Sequence, residues 1–124
     1  MPENKKLVIL VVEDNDMYRS VVVSALGVYI AGSDVVEATG VKEALRLLQA
    51  KHVDVIVADL NLHDGSAIDL VGAAQSFIQA GLRVFVTSCH SREDMQPLLA
   101  RTDVAGYMEK SQGPRQLAAA ILGE

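Results

Sequence analysis

With only one cysteine, Cys89, the chain has no route to an intramolecular disulfide, and it suits a reducing compartment such as the cytosol. No apolar run approaches the roughly 20 residues that a membrane-crossing helix needs. The opening, "MPENKK", lacks a signal-peptide pattern. Positive charge is not in excess: the formal net charge is −5, which gives no general attraction to nucleic acid. Tandem repeats, low-complexity tracts and Pro/Gly/Ser-rich linkers are missing as well. These absences predict a cytoplasmic protein with no membrane segment, built as a single domain over residues 1–124 with no sign of a second one. A chain of this length buries a real core.

What the sequence does have is a high apolar fraction, 50%, delivered in short bursts. "LVILVV" (7–12), "VDVIVA" (53–58) and "RVFVTS" (83–88) are rich in β-branched residues and nearly unbroken. They predict strands covered on both faces. "SDVVEA" (33–38) and "GYMEK" (106–110) are shorter and charged, as sheet edges tend to be. Helical patterns lie between. Met17, Val21, Ala25 and Tyr29 recur four apart, as do Ala44 and Leu48 with Val41 and Leu45 beside them. Ser66 and Asp69 have the spacing of a capping box at the head of "AIDLVGAAQSFIQ", and Gly81 closes that helix. Pro114 opens a last helix, "PRQLAAAIL". Ser91, with Asp94 three on, could cap the fourth helix but would put Pro97 inside it; the expectation is a late start with Asp94 as cap and Pro97 in the first turn, or else a loose first turn.

Five β-α repeats predict an α/β, doubly wound (βα)5 domain with one parallel sheet and right-handed crossovers. Ligands of such sheets bind beyond the carboxyl ends of the strands. There the chain places Glu13 and Asp14 after the first strand and Asp59 after the third. Thr87 ends the fourth strand and Lys110 the fifth. Each residue alone is ordinary, but at corresponding strand ends they would share a small volume. Clustered carboxylates repel, and a hard divalent cation relieves the repulsion. A carboxylate beside such a cation is also a possible phosphoryl acceptor, with a hydroxyl and an ammonium for the transferred oxygens.

The motifs "VVEDN", "VADLNLHDGSAIDL", "FVTS" and "GYMEK", in this order and spacing, resemble the receiver domain of two-component response regulators over about residues 7–122. The resemblance implies a flavodoxin-like, five-stranded sheet in the order 2-1-3-4-5. It implies that Asp59 is the phosphoacceptor and that Mg²⁺ is the cofactor. Asp14 and Asp59 would bind the metal directly, Glu13 through water and Asn61 by its backbone carbonyl. Thr87 and Lys110 would hold the phosphoryl oxygens, and Tyr107 matches the aromatic switch residue that moves inward when Thr87 engages. A histidine kinase or histidine phosphotransfer protein would supply the phosphoryl group. The fourth helix, fifth strand and fifth helix would signal to an output partner, with a phosphorylation-dependent dimer as a further state. On this reading the chain is not an enzyme beyond phosphotransfer to its own aspartate and self-dephosphorylation, and the domain itself binds no nucleic acid.

The chain departs from the family pattern in places. His63 and Ser111 stand where proline is common, and Ser88 where alanine is usual. With serine after Lys110, the Lys110–Ser111 peptide is expected to be trans, since a cis bond before a non-proline residue costs about 3–4 kcal/mol. The alternative to a phosphorylated switch is a receiver-fold interaction module that no longer uses phosphate. A flavin-binding carrier of the same topology is disfavoured, because "EDND" repels phosphate where such a carrier needs Ser, Thr and Gly donors.

Overall fold

The five apolar bursts form five parallel strands. In the computed structural model, which describes residues 6–124, these are β1 (Val8–Val12), β2 (Asp34–Ala38), β3 (Val55–Asp59), β4 (Arg83–Ser88) and β5 (Gly106–Glu109). They make one sheet in the order β2-β1-β3-β4-β5, parallel at every ladder. This is the expected flavodoxin-like order, with the charged strands at the edges. The first five residues, and with them the reading of "MPENKK", lie outside the described residues.

The helices are α1 (Asp16–Tyr29), α2 (Val41–Ala50), α3 (Ala67–Ala73), α4 (Arg92–Leu99) and α5 (Pro114–Leu122). Alternate strand residues face opposite sides of the sheet. Leu10, Val12, Ile56, Ala58, Val84 and Val86 meet α2, α3 and Met95 of α4 in one core. Ile9, Val11, Val55, Val57 and Phe85 meet α1 and α5 in the other. Among the described residues no helix is long and apolar enough to cross a membrane.

Local expectations held at several places. Ser66 and Asp69 form the capping box, Pro114 opens α5, and the Lys110–Ser111 peptide is trans. Three others need correction. The stripe Met17, Val21, Ala25 and Tyr29 is not the one that α1 buries: Met17 is 79% exposed, while Val22 and Leu26 are in the core. The helix read from "AIDLVGAAQSFIQ" breaks at Ala74 into α3 and a short segment, Gln75–Gln79. There the Val71 carbonyl accepts from Ala74 N at 3.3 Å and from the Gln75 side chain at 3.1 Å, in place of the Gln75 backbone N–H that an unbroken helix would pair with it. Finally, α4 is capped by Ser91 rather than Asp94, with Pro97 inside it. Ser91 Oγ accepts from Asp94 N and Glu109 accepts from Arg92 N, so two otherwise unpaired donors are satisfied. Those bonds help offset the one Pro97 cannot make, and the helix ends two residues later, at Leu99.

Gly106 begins β5 against the Phe85 ring. A Cβ there would lie 2.9 and 3.0 Å from two ring carbons of this buried side chain. Gly106→Ala is therefore expected to destabilise the fold by about 1–3 kcal/mol through overpacking. The check is a lower urea midpoint at unchanged slope.

Candidate functional site

The alternation that builds the two cores also places the site. On β1 the α1/α5 side is the 9-11 series, and Glu13 continues it. On β3 it is 55-57, continued by Asp59, and on β4 Phe85 is followed two residues on by Thr87. On β5 Met108 belongs to the same side, and Lys110 is two residues further. Four of the expected groups thus leave the sheet on one face at its carboxyl edge. Asp59 and Thr87 are cross-strand partners in the β3–β4 ladder. Lys110 itself lies just beyond β5, in a short 3-10 turn rather than in the strand.

The carboxylate oxygens of Glu13, Asp14 and Asp59 lie within 4.8 Å of one another. Glu13 is buried, Asp59 half-buried and Asp14 exposed. The Lys110 ammonium sits 3.0 Å from Glu13 Oε1 and 3.4 Å from Asp59 Oδ1. Burial pushes the Glu13 carboxyl above its usual range, opposed by the Asn15 N–H and by Lys110. Burial likewise raises Asp59, opposed by Lys110 and reinforced by Asp14. For Lys110, burial acts downward but the bonded carboxylates outweigh it, and the net shift is upward. The site therefore keeps its fixed cation charged, while burial works against ionisation of Glu13 and Asp59.

Thr87 is buried at the floor of the rim. Asn61 is exposed just past Asp59, in a two-residue antiparallel ladder with Gly65–Ser66. The backbone there is pinned: Leu60 N donates to Thr87 O at 2.8 Å, and Ala67 N to Leu60 O at 3.0 Å. Tyr107 is on the other side of the sheet, buried in the core that holds Val86 and Met95. Its hydroxyl donates to the His90 carbonyl in the β4–α4 loop.

Two residues of the surroundings went unread in the sequence. Arg19 donates to the Glu13 carbonyl at 2.8 Å and pairs with Asp16 and Glu37, which ties the end of β1 to α1 and β2. Tyr18 presents its ring to the Lys110 ammonium, 4.3 Å from Nζ to the ring centroid. A signal was available for Tyr18: it stands four residues before Val22 and eight before Leu26, on the helix face that packs toward the sheet.

The chain has relatives among known proteins. The family model of the response regulator receiver domain matches residues 9–122. No curated protein sequence matches the chain significantly. Among solved structures, the signal receiver domain of the putative response regulator NarL from Mycobacterium tuberculosis is 26% identical, with TM-score 0.81 over 95% of this chain and 94% of that one. The chemotaxis response regulator CheY4 of Vibrio cholerae is 25% identical, with TM-score 0.83 over 96% and 98%. A CheY-like receiver domain protein from Methanospirillum hungatei shares the fold at 18% identity, with TM-score 0.83 over 96% and 93%. A family match across nearly the whole chain, on a sheet of the same kind, places this protein in the response regulator receiver domain family, whose role is in two-component signalling.

Proposed function

We propose that the chain is a phosphorylation-activated switch that accepts a phosphoryl group on Asp59 from a phosphohistidine donor. The observation that carries this is the meeting of three carboxylates with one ammonium: Lys110 contacts Glu13 and Asp59, whose oxygens lie within 4.8 Å of Asp14. In the transfer an Asp59 carboxylate oxygen attacks phosphorus and the new O–P bond forms. The N–P bond of the donor breaks, and its electron pair returns to the imidazole nitrogen. Lys110 and the Thr87 hydroxyl receive the charge on the transferred oxygens.

The donor set fits a hard divalent cation, since every member is an oxygen ligand and Asp14 is open to water. Mg²⁺ would be held by Asp14, Asp59 and the Asn61 carbonyl, with Glu13 through water, and would neutralise charge on the phosphoryl oxygens. Glu13 suits the outer role because both of its oxygens are engaged, one by Lys110 and the other by the Asn15 N–H.

The signal would leave by α4, β5 and α5. Support comes from the bonds that tie α4 to β5. Arg92 of α4 donates from its guanidinium to the Tyr107 carbonyl and from its backbone to Glu109. Tyr107 in turn holds the loop that follows Thr87 and Ser88. A shift of Thr87 toward a phosphoryl group would thus disturb the seat of Tyr107 and the head of α4.

Incubation with acetyl phosphate and Mg²⁺, read by intact mass, tests the proposal. Wild type is expected to gain one phosphoryl group per chain and to gain none in EDTA. No uptake with Mg²⁺ would mean that the fold serves a phosphate-independent contact instead.

A further inference from the structure

We infer that Tyr18 is a positioning residue for Lys110, and that its ring sets the rate of phosphoryl transfer to Asp59. This rests on the switch reading above and adds to it a residue whose role nothing in the strand-end motifs assigns.

A closed circuit of contacts carries the inference. Lys110 Nζ meets Glu13 Oε1 at 3.0 Å. The other Glu13 oxygen accepts from Asn15 N at 3.1 Å. Asn15, the N-cap of α1, accepts from Tyr18 N at 2.8 Å. The Tyr18 ring returns to Lys110, 4.3 Å from ammonium to centroid. This is within the range at which a ring face attracts a cation. Glu13, the helix cap and the ring therefore form one unit around the ammonium.

The chemistry explains why a ring suits this place. An ammonium has three donors on a flexible stem. Two partners of Lys110 are already carboxylates, and a third would add negative charge where the incoming phosphoryl group needs less of it. The ring face attracts the ammonium and adds no formal charge, so Lys110 is held without a further anion beside it. The half-buried ring also covers one side of the ammonium from solvent. A leucine would keep the apolar packing of Tyr18 against the α1/α5 core and lose only the ring face.

Two measurements test this. In wild type the ring current of Tyr18 should move the Lys110 ε-methylene protons upfield, and Tyr18→Leu should return them to ordinary lysine positions. With acetyl phosphate as donor, the Asp59 oxygen forms its bond to phosphorus while acetate departs with the electron pair. The rate of that uptake should fall about fivefold in Tyr18→Leu, the scale of a partly desolvated cation–π contact. Tyr18→Phe keeps the ring and should restore the rate to within about twofold. Melting curves confirm folding, and Tyr18→Met replaces the leucine variant if that protein does not fold. If Tyr18→Leu labels as fast as wild type, or Tyr18→Phe as slowly as Tyr18→Leu, the inference is overturned. If wild type takes up no phosphoryl group, the switch reading fails and the rate claim with it. In that case the proton shift alone decides whether the ring holds Lys110.

Discussion

Asp59→Asn is expected to take up no phosphoryl group and, without divalent cation, to melt at a higher temperature than wild type. The first effect follows because an amide offers no carboxylate oxygen for attack, and Glu13 and Asp14 should not substitute. Glu13 is buried and held by Lys110 and the Asn15 N–H, and Asp14 lies at the outer rim. The second effect follows from the direction of the Asp59 shift. Burial, opposed by Lys110 and helped by Asp14, raises its carboxyl above the ordinary 3.8. The folded protein then holds the Asp59 proton more tightly than the unfolded chain does. That contribution is fully present below pH 3.8 and is lost as pH rises through the raised folded value. At neutral pH wild type therefore bears the whole cost of an ionised Asp59, and asparagine has no proton to lose. The melting difference between the two proteins should be smallest near pH 3.5 and grow to a plateau at neutral pH. Intact mass after acetyl phosphate treatment and melts in EDTA across pH check both effects. Equal labelling of the two proteins removes Asp59 from the phosphoacceptor role.

The same alternation that places Asp59 shows why the site was legible in the sequence and parts of the fold were not. Strands covered on both faces are nearly continuous β-branched runs, and the residue that ends each run stands at the sheet edge whatever the helices do. Glu13, Asp59 and Thr87 could therefore be placed from the runs alone. The buried face of α1 could not. Val21, Val22 and Val23 follow one another, and Leu26 and Val28 are both apolar, so a period near four fits more than one stripe. The structure buries Val22 and Leu26 and leaves Val21 and Val28 exposed. The start of α4 depended on Glu109, 17 positions beyond Arg92, which accepts the Arg92 N–H and helps the helix begin ahead of Pro97. At the break the Val71 carbonyl accepts from Ala74 N and from the Gln75 side chain, a pairing that residue spacing does not record. Tyr18 was missed because its partner, Lys110, is distant in sequence and reaches it only once β5 lies in the sheet.

Millimolar Mg²⁺ is expected to raise the melting temperature of wild type by about 3–6 °C, and Asp14→Ala to lose most of that gain. Folding brings the oxygens of Glu13, Asp14 and Asp59 within 4.8 Å, whereas the unfolded chain separates Asp59 from the acid pair. Folding thus creates both the repulsion and the place where a cation relieves it. A ligand that binds only the folded state stabilises by RT ln(1 + [L]/Kd), about 1.4 kcal/mol at ten times Kd. In a domain of this size that is on the order of 3–6 °C. Lys110 partly offsets the repulsion already, but it contacts Glu13 and Asp59 and leaves Asp14 open at the rim. On the proposed site, Asp14→Ala would remove a direct ligand and one source of repulsion together. Its melting point without Mg²⁺ should hold or rise while the Mg²⁺ increment shrinks. A merely destabilising substitution would lower the first value and leave the second intact. Melts of both proteins with and without Mg²⁺, at constant ionic strength so that screening does not imitate binding, separate the two. If the increments are equal, the acids after β1 do not hold the cation, and phosphoryl transfer to Asp59 would have to rely on Lys110 and Thr87 alone for its counter-charge.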